Sequence, residues 1–375
     1  MSMEDEVLNV KVDVSTLMNI HALLFMEIRI FDQSFKTPLD VTHDRKTKDT
    51  FVVEYGGSCI HRLRSNADSI FSPFVDTSIF TPFVDTSIGC LLLVPEQYQT
   101  ETFYLICRTT NALHVISKEG KARVLFHIDN SLGLQDIISM RMDSKGRLLM
   151  LDRNNHRILQ LILDKEQVSG NTSIIAGWGS DGEKHVDSFL ASFYHPSGMC
   201  LDQDDNCYVA DRGNASIKRI DAQTRELTIF AGDGFIRHRD GPCLSASFHY
   251  LRSLEYDPHT NMLFVSELHS IRMIHLKSRQ VITLAGTDDN PSYVNGDGRT
   301  ARFQNPSAIA IESNLHSVEL LSLIRSLACF SDWPPGLLDV VVMDYITRQI
   351  INLLVIDEGN NIVRRIHVEL PCSSL

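Results

Sequence analysis

The chain has 375 residues, 43% of them hydrophobic and 22% charged, a globular balance that excludes wholesale disorder and a fibrous structure. Its formal net charge of -12 works against a surface that tracks phosphates, because nucleic-acid affinity rests on Lys and Arg neutralising the backbone. Eight cysteines with no CxxC pair, in a chain too large to need staples, read as buried free thiols, and no apolar run reaches the ~18 residues of a membrane span.

From the N-terminus, Met1 to Asp5 are acidic, and the apolar stretch Ile20 to Phe25 is interrupted by His21 and followed by Glu27 and Arg29. That is not a signal peptide, so the cytoplasm is the expected compartment. A strand is predicted over Leu24 to Phe31. Paired strand-like runs follow: FVVEYGGSCIHRL from Phe51, FYLICRTTNALHVI from Phe103 and LLMLDRNNHRILQL from Leu148. Between the first two, the tandem FSPFVDTSI (from Phe71) and FTPFVDTSI (from Phe80) offers two candidates for one strand position. One copy is expected to pair and the other to bulge or loop out.

The second half repeats more plainly. Ala191-Ser-Phe193 leads to Pro196-Ser-Gly198, Ala246-Ser-Phe248 to Leu251-Arg-Ser253, and Ala301-Arg-Phe303 to Pro306-Ser-Ala308, with the alanines 55 residues apart both times. Ahead of each lies an apolar segment closing on Ala-Gly and then a loop carrying Asp-Gly, residues that tolerate positive φ in tight connections. After each comes a strand ending in an acidic residue, then a second strand rich in Ile and Arg. Taking that strand end as a marker gives Glu54, Cys107, Asp152, Asp211, Glu267 and Asp357, hence six units. Each reads as four short strands of β-branched and aromatic residues separated by turns, the signature of a propeller blade, so an all-β, six-bladed β-propeller is expected.

The run from Ala191 to Arg219, with A-S-F, P-S-G, Y-V-A-D and N-x-S-I-K-R-I, resembles the consensus of an NHL repeat. Three downstream units match it well and the three upstream ones in outline. The resemblance implies that the strand-end acid is a turn acceptor for nearby backbone N–H groups. Glu54, Asp152, Asp211, Glu267 and Asp357 are therefore expected to be scaffold rather than catalytic.

The last unit lacks a fourth strand, so residues 1–32 are expected to supply it and close the ring, leaving 33–375 as the propeller. The marker intervals are 53, 45, 59, 56 and 90 residues, and the last is too long. Removing Ser322 to Leu354 would restore the pattern. That segment reads as a rim excursion or as an untranslated stretch retained in the gene model, and the second reading is favoured.

The residues present limit the chemistry open to the chain. Lyases similar to NHL proteins hold zinc with loop histidines, and His195 and His249 occupy nearly equivalent places, but the third position is Asn305 where zinc catalysis needs three protein ligands. Lactonase-like propellers hold calcium in the tunnel; Asp202 and Asp257, however, look like ordinary turn residues. No Gly-x-Ser-x-Gly elbow, Walker loop or HExxH occurs. No cofactor or metal is expected. A binding scaffold fits better, with Trp178, His195, Phe235, Ile236, Arg237, His238, His249 and Tyr293 as candidates on one loop face. RNA binding, the remaining alternative, is disfavoured because loops 178–190, 233–242 and 287–299 carry net charges of -2, 0 and -2. A protein or peptide partner and a monomeric propeller are expected.

Overall fold

The computed structural model describes residues 28–30, 38–44, 47–54, 59–64, 72–76, 88–93, 102–107, 112–117, 119–127, 134, 136–162, 172–177, 193–287, 291–292, 294–296, 298, 300–312 and 348–371. These residues build six antiparallel sheets. Strand β1 (Ile28–Ile30) belongs to the last of them. The first sheet is β2 (Pro38–His43), β3 (Thr50–Glu54), β4 (Cys59–Leu63) and β5 (Ser72–Asp76). The second is β6 (Ile88–Leu93), β7 (Thr102–Cys107), β8 (Ala112–Ser117) and β9 (Ala122–His127). The third is β10 (Ile137–Met142), β11 (Arg147–Asp152), β12 (Arg157–Ile162) and β13 (Thr172–Ala176). The fourth is β14 (Gly198–Leu201), β15 (Cys207–Asp211), β16 (Ser216–Ile220) and β17 (Leu227–Ala231).

In the fifth sheet, a two-residue strand β18 (Gly241–Pro242) lies outside β22 (Gln280–Gly286), which pairs in turn with β21 (Ser270–His275), β20 (Met262–Glu267) and β19 (Leu254–Asp257). In the sixth, β23 (Pro306–Glu312) pairs with β24 (Arg348–Asp357), β24 with β25 (Ile362–Pro371), and β1 takes the fourth place through Ile28 opposite Ile366.

Second strands are mostly apolar because both their faces are covered. Val52, Val53, Leu151, Val209, Phe264 and Val355 are wholly excluded from water. Fourth strands cover one face only, and Ile174 and Ile229 on β13 and β17 stay half exposed. Neighbouring sheets pack face to face. Leu149, Leu151 and Ile158 meet Met199 and Val209; Ala210 and Ile217 meet Leu263 and Val265; Phe264 and Ile271 meet Leu353 and Val355. The first sheet meets the sixth through Val41, Val52 and Leu63 against Ala308, Leu354 and Ile356. First strands lie side by side in the order β2, β6, β10, β14, β19, β23, with β23 also against β2.

The upstream sheets share an irregularity with the clear repeats. The fourth strand shifts register against the third at Ile60/His61, Leu113/His114, Ile158/Leu159, Ile217/Lys218 and Ile271/Arg272, the same place in five sheets. Such a bulge bends the outer strand and increases its twist. The Ala-Gly that follows explains itself in space. Gly177, Gly232 and Gly286 have φ of +79°, +104° and +87°, and a Cβ there would lie 2.1, 2.6 and 2.3 Å from the carbonyl oxygens of His156, Ala215 and His269. Only glycine lets the fourth strand end against that loop.

Three sequence expectations meet the described residues in part. Asn352, Leu353 and Leu354 pair with Glu312, Ile311 and Ala310, and both leucines are fully buried, while residues 322–347 of the expected excess lie outside the described residues. In the tandem, Ser72–Asp76 of the first copy pairs with β4, while the second copy, apart from Ile88, lies outside the described residues. The thiols of Cys200, Cys207 and Cys243 are free and buried, and the side chains of the other five cysteines lie outside the described residues.

Candidate functional site

Each strand-end acid is the centre of a repeated set of bonds. Asp211 accepts the Tyr194 N–H at 2.7 Å, the Asn214 amide at 2.7 Å and Lys218 Nζ at 2.7 Å. Glu267 accepts the His249 N–H at 2.9 Å, the Ser270 hydroxyl at 2.7 Å and Arg272 at 2.9 Å. Asp357 accepts the Gln304 N–H at 2.8 Å, the Asn360 amide at 2.9 Å and Arg364 at 3.1 Å. Asp152 follows suit with the Asp136 N–H, Asn155 and Arg157, and Glu54 lies 3.0 Å from His61 Nε2. Asp152, Asp211, Glu267 and Asp357 thus each tie the segment entering the sheet to the next hairpin. The cations also cover the repeat phenylalanines: Lys218 over Phe193, Arg272 over Phe248 and Arg364 over Phe303 at 5.5, 5.4 and 4.2 Å.

The Glu267 set extends to the surface. Arg272, fully buried, also donates to Asp240 Oδ1 at 2.6 Å and to the carbonyls of Arg239 and Ser247. His238 Nδ1 lies 2.7 Å from Glu267 Oε1, and its Nε2 shares a hydrogen bond with the Thr283 hydroxyl at 2.8 Å. Burial alone would lift the Glu267 carboxyl, but Arg272, His238 and the His249 N–H hold it down at about 2. At Asp357, which has no such imidazole, burial prevails over Asn360, the Gln304 N–H and Arg364, and the carboxyl is raised.

Above this network the segment 233–240 is pinned to 246–248 by backbone bonds from Asp233, Arg237 and Arg239. Phe235 and Ile236 stand out at its tip, 64% and 51% exposed. Arg237 lies over the Phe235 ring at 5.1 Å and is held by Asp233 at 2.5 Å and by the Ser247 hydroxyl at 3.0 Å. The structure therefore brings Phe235, Ile236 and Arg237 together as an outward-facing group. His238 belongs to the support beneath them.

The remaining candidates separate. His195 is exposed, has φ of +46°, and donates its N–H to His156 Nδ1 at 3.0 Å. Its counterparts two residues after the repeat phenylalanine are Tyr250 and Asn305, with φ of +52° and +59°. His249 sits one place earlier, with Tyr194 and Gln304, and spends its N–H on Glu267. The two histidines are thus one position out of register, which corrects their reading as equivalent. Trp178 and Tyr293 lie outside the described residues. Asp202 and Asp257 are turn acceptors, taking the N–H groups of Asp204 and Asn206 and of Thr260. Among the described residues no group of three His, Cys, Asp or Glu is placed to hold a metal ion.

Two exposed tyrosines escaped the sequence reading. Tyr194 and Tyr250 are 38% and 39% exposed on the segments entering the fourth and fifth sheets, and Arg212 lies 5.2 Å over the Tyr250 ring. Their signal was the repeat alignment itself, which puts Tyr194 one residue and Tyr250 two residues after the repeat phenylalanine.

The family model described as NHL repeat matches residues 193–220, which is the stretch from the buried Phe193 through Asp211 to Ile220. The human NHL repeat-containing protein 2 is 23% identical over 188 residues, 42% of this chain and 25% of that protein. The bovine protein of the same name is 31% identical over 207 residues, 52% of this chain and 27% of that protein. The chain thus aligns with about a quarter of the length of these curated relatives. Among solved structures, a structural genomics protein of unknown function from Bacteroides thetaiotaomicron VPI-5482 superposes with a TM-score of 0.64 at 13% identity, covering 92% of this chain and 76% of that one. An auxiliary nutrient binding protein from the same organism gives 0.61 at 14% identity, covering 92% and 77%. The matched segment falls on the clearest copy of the acid-centred repeat seen in space, so residues 193–220 match an NHL repeat and the chain is similar to NHL repeat-containing proteins.

Proposed function

We propose that the six sheets are the blades of one six-bladed propeller, closed by β1, and that the face carrying Phe235, Ile236 and Arg237 binds a protein or peptide partner without catalysing a reaction. One observation carries this reading. The tip of 233–240 offers apolar side chains and a guanidinium to solvent while Arg272, Asp240, His238 and Glu267 hold it rigid from below. An exposed aromatic beside an arginine is the composition of an interface anchor, and a loop ordered before binding loses little entropy on binding. The strand-end acids and the acids of the hairpin turns are engaged in scaffold bonds, which supports a non-catalytic role. Three free buried thiols suit a reducing compartment, so the cytoplasm is the proposed location.

Affinity capture with mass spectrometry, comparing the wild type with a Phe235→Ala/Ile236→Ala/Arg237→Ala variant of equal thermal stability, tests the proposal. Loss of specific partners from the variant is expected. Identical partner lists would overturn the assignment of this face.

A further inference from the structure

Three arginines from three segments stand on the rim where the strand-end acids lie. Arg153 follows Asp152 at the end of β11, Arg212 follows Asp211 at the end of β15, and Arg252 lies on the segment entering β19. Arg153 is matched by Asp136 Oδ2 at 2.5 Å. Arg252 donates to Asn305 Oδ1 and lies 4.0 Å from Glu358 Oε2, while its buried Nε makes no hydrogen bond among the described residues. Arg212 rests on the Tyr250 ring at 5.2 Å and has no carboxylate within 4.0 Å among the described residues. Its loop is bolted to the next exposed aromatic, because the Gly213 N–H donates to the Tyr194 carbonyl at 2.7 Å.

The three charges feel one another. Burial first, then the charge of Arg153, lowers the Arg212 pKa; burial first, then the charge of Arg212, lowers that of Arg252. Half-buried like charges cost free energy unless a counter-anion sits among them. Among the described residues, three guanidinium groups against Asp136 and Glu358 leave one positive charge over. A spot of single positive charge on a chain of net charge -12 favours one carboxylate on an otherwise uncharged segment over a polyphosphate. The planar guanidinium fork fits a carboxylate in two parallel hydrogen bonds, and Tyr194 and Tyr250 offer ring faces for the chain that carries it.

We infer that Arg212 and Arg252, with Tyr250 between the segments that bear them, form a carboxylate-binding site that captures an acidic side chain or C-terminus of the protein partner. The inference rests on the reading of this face as a protein-binding surface and deepens it.

Fluorescence anisotropy tests it with a fluorescein-labelled Gly/Ser peptide ending in Phe-Glu, its counterpart ending in Phe-Gln-amide, octauridylate, and acetate as competitor. The acidic peptide is expected to bind about 10-fold more tightly than the amide, the value of one charge-assisted bond. Arg212→Gln and Arg252→Gln are each expected to weaken it about 10-fold and Arg212→Lys to weaken it less. Because Arg212 makes no scaffold ion pair, its variant is expected to melt within about 2 °C of the wild type, which separates loss of the site from loss of the fold. Equal binding of the two peptides, indifference to both substitutions, or tighter binding of octauridylate lost in the same variants would each overturn the inference. So would displacement by acetate at the concentration at which the peptide itself binds. If capture of partners depends on Phe235 while Arg212→Gln changes nothing, this inference falls and the binding face stands.

Discussion

Glu267→Gln tests the acid-centred repeat most directly. The amide keeps the shape of the side chain, and its carbonyl can still accept one of the two neighbouring donors, the His249 N–H that now bonds Oε2 or the Ser270 hydroxyl that now bonds Oε1. What it removes is the charge facing Arg272, and both side chains are wholly excluded from water, so solvent cannot screen the loss. Breaking a buried pair from one side costs about 3–5 kcal/mol, and the lower figure applies because Asp240 remains 2.6 Å from Arg272. The carboxyl gives a second route to the same value. It is held at about 2 against an ordinary 4.5, a difference of roughly 2.5 units and therefore ~3 kcal/mol. Since the folded value is the depressed one, this stabilisation is complete above pH 4.5 and is lost as pH falls through about 2. Urea denaturation followed by far-ultraviolet circular dichroism at pH 7 is expected to show Glu267→Gln about 3 kcal/mol less stable, with the gap closing toward pH 2. Glu267→Gln/Arg272→Met is expected to recover more than half of it. A single variant within about 1 kcal/mol of the wild type at pH 7, or a gap that does not change with pH, would refute the reasoning.

Deleting residues 1–32 removes β1 and uncovers the edge of β25, so the melting temperature is expected to fall by about 5 °C or more; a truncated protein that melts like the intact one would disprove the contribution of that strand. Gly286→Ala forces a Cβ to 2.3 Å from the His269 carbonyl and should cost about 2–3 kcal/mol, whereas Gly234→Ala, whose Cβ meets nothing, should cost about 1 kcal/mol or less; chemical denaturation of the pair checks the difference. Burial raises the thiols of Cys207 and Cys243 to about 12 and about 11, so iodoacetamide at pH 8 should leave both unlabelled in native protein and label both in urea, as read by peptide mass spectrometry.

The repeat was legible because each of its parts has a steric or electrostatic necessity that only a few residue types meet. The phenylalanines 193, 248 and 303 fill the wedge beside each acid, the glycines 177, 232 and 286 lie against a carbonyl, and the acids take loop N–H groups. Glu54 and Asp152 could be found upstream for the same reason, although their surroundings have drifted. Strand β18 was not foreseen, since two residues including Pro242 carry no strand periodicity and are set by pairing with β22. Register among the loops follows from the spacing to each phenylalanine: His195 stands two residues after Phe193, as Tyr250 does after Phe248, whereas His249 stands one residue after Phe248 and donates its N–H to Glu267. The arginine group draws on residues 153, 212 and 252, and no local pattern signals that three separate segments bring them together.

The pairing of Ile28 with Ile366 has a consequence for how the molecule is made. During synthesis the first strand leaves the ribosome with its partner nearly the whole chain away, so it must wait, unpaired, until the final hairpin has been translated. Premature termination anywhere between β1 and β25 therefore leaves β1 without its partner. A cell that degrades chains with exposed strand edges would discard incomplete copies of this protein without needing to recognise anything else about them.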